Sequence, residues 1–129
     1  MRVLLVEDFE PLARSLAQGL REAGYAVDAA GDGEEALALG ETNPYDAILL
    51  DLMMPGIGGF AVLKAIRAAS PNANTPIIVV SIVGDAATIS QCLSAGANAY
   101  HVKPVRRAEL IATVKAQLAA RRKQVTPIK

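Results

Sequence analysis

The chain has no tryptophan, one cysteine and one histidine, and its only aromatics are two phenylalanines and three tyrosines. The single Cys92 cannot form an internal disulfide, which fits a reducing compartment. One histidine makes a poor metal site, so His101 is expected to serve the structure or the surface. Nothing accompanies Cys92 to activate it as a nucleophile, and it is expected to be a small buried hydrophobe. Net charge is also missing: thirteen Lys and Arg stand against thirteen Asp and Glu. A chain that grips phosphate backbones is usually strongly basic, and stacking platforms are few. The cluster Arg121-Arg-Lys123, with Arg106 and Arg107, is explained by a solvated helix end. No apolar run approaches the ~20 residues of a membrane span. Glu7 and Asp8 arrive too early for a signal peptide. These absences predict a cytoplasmic chain with no membrane partner and no direct nucleic-acid partner.

What is present is an apolar, one-domain chain. Its 129 residues are 52% hydrophobic, which excludes disorder as the main state and removes the need for a disulfide or metal staple. Short β-prone runs alternate with amphipathic stretches. Continuous apolar runs at Arg2 to Val6, Ala47 to Asp51 and Ile77 to Ser81 predict strands covered on both faces, and Ala26 to Ala30 and Ala99 to Val102 predict two more. Between them lie five helical patterns. Pro11 to Ala23 carries Leu12, Leu16 and Leu20 on one stripe and ends at Gly24. Asp32-Gly-Glu-Glu35 reads as a capping box whose helix closes at Gly40. A third helix, with Phe60, Leu63, Ile66 and Arg67, runs to about Ser70. A fourth, capped by Asp85 and carrying Ile89, Cys92 and Leu93, stops at Gly96. A fifth runs from Arg106 to about Ala120 with Leu110, Ile111, Val114 and Leu118 inward. Five strands alternating with five helices predict an α/β fold, a doubly wound parallel sheet, with strand order 2-1-3-4-5 one of two common solutions. Residues 1–120 form the domain; 121–129 are expected to be a polar tail or the start of a linker.

In such sheets ligands sit outside the carboxyl ends of the strands, at the switch point between the first and third. The first strand ends in Glu7-Asp8, the third in Asp51, the fourth in Ser81 and the fifth in Lys103. One polar strand end is an ordinary helix cap; four converging on one edge are not. Three carboxylates about 4 Å apart repel by roughly 4 kcal/mol per pair at an effective dielectric near 20. A divalent cation relieves that, and oxygen-only ligands suit magnesium or manganese rather than zinc. A cation, a lysine and a hydroxyl around one carboxylate are the parts that stabilise a transferring phosphoryl group, with Asp51 as nucleophile. Gly31-Asp-Gly-Glu-Glu-Ala36 matches a dinucleotide fingerprint on paper, but it follows the second strand rather than the first and reads as a capping turn. No P-loop motif occurs.

Glu7-Asp8, Asp51-Leu-Met-Met-Pro-Gly56, Ser81 and Tyr100-His-Val-Lys-Pro104 together resemble a response-regulator receiver domain, over about Arg2 to Ala119. The resemblance implies a single (βα)5 flavodoxin-like domain. It also implies that Asp51 accepts a phosphoryl group from the phosphohistidine of a partner histidine kinase or phosphotransfer protein. Asp8 and Asp51 would bind Mg2+ (or Mn2+) directly, Glu7 through water, and the backbone carbonyl of Met53 would complete the set. Lys103 would pair with the phosphoryl group, Ser81 would turn inward to it, and Tyr100 would follow as an aromatic switch. The Lys103-Pro104 bond would be cis. The output would pass through the face of the fourth helix, fifth strand and fifth helix to a downstream protein or a second copy. Ile82 and Val105 depart from the commonest pattern, which bears on phosphate lifetime and output partner; Ser81-Ile-Val resembles receivers joined to hybrid sensor kinases. The rivals are a phosphorylation-independent docking module, a receiver segment of a larger protein, and a small aspartyl phosphatase. The last needs an acid/base two residues after Asp51, where Met53 stands.

Overall fold

A computed structural model describes residues 1–124, with side chains through Arg121. Five parallel strands lie in the order β2-β1-β3-β4-β5, as the alternation predicts. They are β1 (Arg2–Val6), β2 (Ala26–Ala30), β3 (Ala47–Leu50), β4 (Ile77–Ser81) and β5 (Ala99–Val102). The helices are α1 (Glu10–Glu22), α2 (Gly33–Thr42), α3 (Gly59–Ala68), α4 (Ala86–Ser94) and α5 (Arg107–Gln124). The central strands β3 and β4 are buried at every residue, whereas the edge strand β5 is only half-buried. That burial explains why the central runs are continuously apolar rather than alternating.

Side chains alternate across the sheet, so the core divides in two. On one face Val3, Leu5, Ala47, Leu49, Ile78 and Val80 pack against Leu16 and Leu20 of α1 and Leu110, Val114 and Leu118 of α5. On the other, Leu4, Ile48, Leu50, Ile77 and Val79 pack against Ala36 of α2, Val62, Leu63 and Ile66 of α3, and Cys92 of α4. Each fully buried Leu, Ile or Val contributes about 1.5–3 kcal/mol. Helices α1 and α4 are each followed by a glycine with φ of +97° (Gly24) and +112° (Gly96), a backbone that β-carbon-bearing residues avoid.

Helix α3 stops at Ala68, short of the expected Ser70, and two other helices overrun their expected ends. Helix α2 does not close at Gly40 but continues to Thr42. Gly40 is a contact rather than a cap: it faces Ile66 of α3, and its carbonyl accepts from Asn72 Nδ2 at 2.7 Å. Helix α5 runs past Ala120 to Gln124. Arg121, placed by the sequence in a tail, donates through Nη1 to the carbonyls of Tyr45 and Asp46 at 3.2 and 3.1 Å. The remainder of the expected tail, 125–129, lies outside the described residues. Among the described residues no helix is long and apolar enough to cross a membrane.

Candidate functional site

The sheet ladder continues one residue past its strands and fixes the backbone of the groups that matter. Glu7 N donates to Ala30 O at 3.0 Å, Asp51 N to Val6 O at 3.0 Å, and Lys103 N to Ser81 O at 2.8 Å. Glu7, Asp51 and Lys103 are therefore presented by sheet backbone rather than by loose loops. Asp8 follows Glu7 at the head of the turn into α1 and is exposed.

Glu7, Asp8 and Asp51 each offer a carboxylate oxygen, and these oxygens lie within 4.8 Å of one another. Glu7 and Asp51 are each only 4% exposed. Lys103 Nζ reaches into the cluster, 2.8 Å from Glu7 Oε1 and 3.3 Å from Asp51 Oδ2. Three carboxylates against one ammonium leave an excess of negative charge. Burial pushes the Glu7 carboxyl above its usual range, and the Asp51 charge adds to that rise; hydrogen bonds from Lys103 and the Phe9 N–H only partly oppose it. For Lys103, burial works to lower the pKa, but the Glu7 hydrogen bond and the Asp51 and Glu7 charges prevail and leave it raised. The two shifts differ in their main cause: burial dominates at Glu7, and the neighbouring carboxylates together dominate at Lys103. The donor set is oxygen-only, convergent and under-neutralised by Lys103. It fits a hard divalent cation of the magnesium or manganese kind.

The remaining predicted site residues sit close by but not in the carboxylate cluster. Met53 lies in the loop after β3, where its N–H donates to Asp51 Oδ1 at 3.1 Å and the residue is 55% exposed. Ser81 is fully buried, and its Oγ accepts from Val83 N at 3.2 Å. Tyr100 pairs with Val79 and Val102 with Ser81, so Ser81 and Tyr100 face the same side of the sheet. The Tyr100 hydroxyl donates to the Val83 carbonyl. Ser81 and Tyr100 thus hold opposite ends of one residue, Val83. Burial raises the Tyr100 phenol further above neutrality, which keeps it a donor. The Lys103-Pro104 bond is cis.

Loop 52–58 packs through Ile57 against the start of α2. A Cβ on Gly33 would lie 2.4 Å from the Ile57 carbonyl, so the Gly31–Ala36 segment that mimics a dinucleotide fingerprint is a close-packed helix start. Asp32 Oδ1 caps Glu35 N at 2.8 Å, while Glu35 Oε1 accepts from Gly31 N. His101 lies outside the cleft and joins β5 to α5 through Nε2 and Thr113 Oγ1 at 2.8 Å. Cys92 is fully buried, and burial pushes its thiol up.

Sequence reasoning did not single out Phe9. It is 61% exposed and, with Leu12, Ile82, Lys103, Pro104 and Val105, lines an apolar groove of about 520 Å³ beside the carboxylates. A large apolar residue directly after two acids, at the head of a helix, was the available signal. Ile82, 67% exposed, forms part of the same groove.

The chain matches the response regulator receiver domain family over residues 3–115. Transcriptional regulatory protein HprR of Escherichia coli (strain K12) is 40% identical over 118 residues, 92% of this chain and 52% of that protein. The chain spans about half the length of the curated relatives it matches. A CheY-like receiver domain protein from Methanospirillum hungatei JF-1 superimposes with a TM-score of 0.89 at 29% identity, covering 95% of this chain and 97% of that one. The receiver domain of sensor histidine kinase PA1611 from Pseudomonas aeruginosa PAO1, solved with a magnesium ion coordinated in the active site cleft, gives a TM-score of 0.83 at 34% identity. That match covers 92% of this chain and 97% of the other. With the order of its strands, the acidic cluster at their carboxyl edge and these matches in agreement, the chain belongs to the receiver domain family of two-component response regulators.

Proposed function

We propose that Asp51 is the phosphoacceptor of a signalling switch, charged from the phosphohistidine of a partner histidine kinase or phosphotransfer protein. The observation that supports this most is Lys103 Nζ held 3.3 Å from Asp51 Oδ2 beside two further carboxylates. An Asp51 oxygen forms the new O–P bond as the donor's N–P bond breaks, and the electron pair leaves on the imidazole nitrogen. Lys103 neutralises charge on the phosphoryl oxygens. Asp8, Asp51, the Met53 carbonyl and, through water, Glu7 would hold Mg2+ (or Mn2+), which would supply further neutralisation of those oxygens. Most of the rate gain in this chemistry is positioning and charge balance, so no histidine base is needed.

Phosphorylation then becomes a switch through Val83. The Ser81 hydroxyl turns to the phosphoryl group and gives up the Val83 N–H. The Val83 carbonyl is held by Tyr100, so the ring moves with it. The α4–β5–α5 face changes shape, and a downstream protein or a second copy reads it. Phosphomonoester turnover is not part of the proposal, because Met53 cannot transfer protons. The apolar groove at Phe9 is where a protein donor would approach the cleft.

Intact-protein mass measured after incubation with magnesium and acetyl phosphate tests the acceptor. One phosphoryl adduct on the wild type and none on Asp51→Asn is expected. No adduct, or an equal adduct on both proteins, would overturn the assignment in favour of a phosphorylation-independent docking module.

A further inference from the structure

Helix α4 is held very differently at its two ends. Of its nine residues only Cys92 is buried. Its carboxyl end runs into Gly96, whose carbonyl accepts from Arg67 Nε at 3.0 Å and Nη2 at 2.9 Å. The same guanidinium donates through Nη2 to Asn98 Oδ1 at 2.9 Å, and through Nη1 to Asn72 O and Ala73 O, each at 3.1 Å. Asn98 is itself fixed, with Oδ1 accepting from Ile77 N at 2.9 Å and its N–H donating to Ile77 O at 2.8 Å. A Cβ on Gly96 would lie 2.8 Å from Arg67 Nε, so the turn and the guanidinium are in direct contact. One planar, always-charged group thereby ties the α4 exit to the end of α3, the loop before β4 and the first residue of β4.

Among the described residues the amino end has no such anchor. Asp85 caps Thr88 N at 2.9 Å but is exposed. The hydrogen bonds joining the preceding segment to the sheet are Val83 N to Ser81 Oγ and Tyr100 OH to Val83 O.

We infer that α4 is a lever hinged at its carboxyl end on Arg67 and Gly96 and free to swing at its amino end. Nine residues at 1.5 Å each make the arm about 13 Å long. Rotation about the hinge displaces Ala86 and Thr88 most and Ser94 least. The hinge itself is independent of phosphorylation; its trigger rests on the function proposed above, since the two hydrogen bonds at the free end belong to the switch residues Ser81 and Tyr100.

Amide hydrogen exchange on the full chain tests the hinge without any phosphoryl group. Amides of Ala95, Gly96, Ala97 and Asn98 should be protected at least about tenfold more than those of Val83, Thr88 and Ile89, because local opening follows the weaker anchorage. Arg67→Ala should abolish most of that difference, and Arg67→Lys, which keeps the charge but not the fork of donors, should do so if the alanine variant fails to fold. Equal protection at both ends, or a gradient unchanged in a folded Arg67 variant, would overturn the hinge. Adding magnesium and acetyl phosphate to the wild type should then change exchange at residues 82–89 with little change at 95–98. A uniform change along α4 in a protein that carries the mass adduct would refute the lever and spare the phosphoacceptor; a missing adduct would refute the phosphoacceptor and leave the exchange gradient standing.

Discussion

Gly59 opens α3 directly against the backbone that carries Asp51. An added Cβ would lie 2.1 Å from the Asp51 carbonyl oxygen and 2.6 Å from Leu52 Cα. Ordinary contact begins at 3.4 Å, so 3.4 − 2.1 = 1.3 Å must be opened. Both obstacles are backbone atoms, and no rotamer change relieves them. The shift falls on α3, on Asp51, or on both, because Gly59 N also donates to Leu52 O at 3.0 Å. Overpacking of this kind costs about 1–3 kcal/mol. With a urea slope of about 1–3 kcal/mol/M, Gly59→Ala should lower the unfolding midpoint by about 1 M. Misplacing a reacting group by about 1 Å costs on the order of 100-fold in rate. Acetyl-phosphate labelling of Asp51, followed by intact mass, should therefore slow by about 10- to 100-fold in folded Gly59→Ala protein. Gly31→Ala is the control: nothing lies within 4 Å of its added Cβ, and neither midpoint nor rate should move. A Gly59→Ala protein with the wild-type midpoint and labelling rate would refute the reasoning.

Because Glu7 is raised above the usual 4.5, the folded state holds more protons than the unfolded one as pH climbs past 4.5. Metal-free stability should therefore fall as pH rises above 4.5; Glu7→Gln should gain on the wild type over that rise, and parallel urea-midpoint profiles in chelator would contradict this. Phe9→Ala should slow phosphotransfer from a protein donor while leaving acetyl-phosphate labelling unchanged, with a stability change within about 0.5 kcal/mol because Phe9 is largely exposed; equal slowing with both donors would refute the groove as an approach. Asn72 is fully buried and bonded to Tyr45 N, Gly40 O, Asn43 O and Thr75 Oγ1. Asn72→Ala strands several of these groups and should cost about 3 kcal/mol by urea unfolding, and a cost below about 1 kcal/mol would show that water replaces the amide.

The strands and the acidic edge were legible because their signals are local. Ile77 to Ser81 and Ala26 to Ala30 match the observed β4 and β2 residue for residue, since continuous apolar or β-prone runs bounded by turn residues admit few alternatives. Placing Glu7, Asp8, Asp51 and Lys103 on one edge followed from strand direction alone. The errors lay where a residue's role depends on a distant partner. Gly40 reads as a terminator in isolation, but α3 and Asn72 give it a packing role inside α2. Arg67 reads as one more member of a helical stripe, and only the folded chain brings Gly96, Asn98 and the 72–73 carbonyls around it. Arg121 reads as solvated until the segment just before β3 supplies two carbonyls. The present engagement of Ser81 with Val83 rather than with Asp51 is likewise a property of the conformation.

The thin burial of α4 has an evolutionary consequence. A helix that lends the core one side chain, and whose sequence from Ala86 to Ser94 holds no charged residue, can exchange its outward positions at little cost in folding. Glu7, Asp51 and Lys103 hang instead on ladder-bonded backbone, where almost any change is felt. Under the proposed function, a new partner surface can thus arise on α4 while the carboxylate and Lys103 cluster stays unchanged.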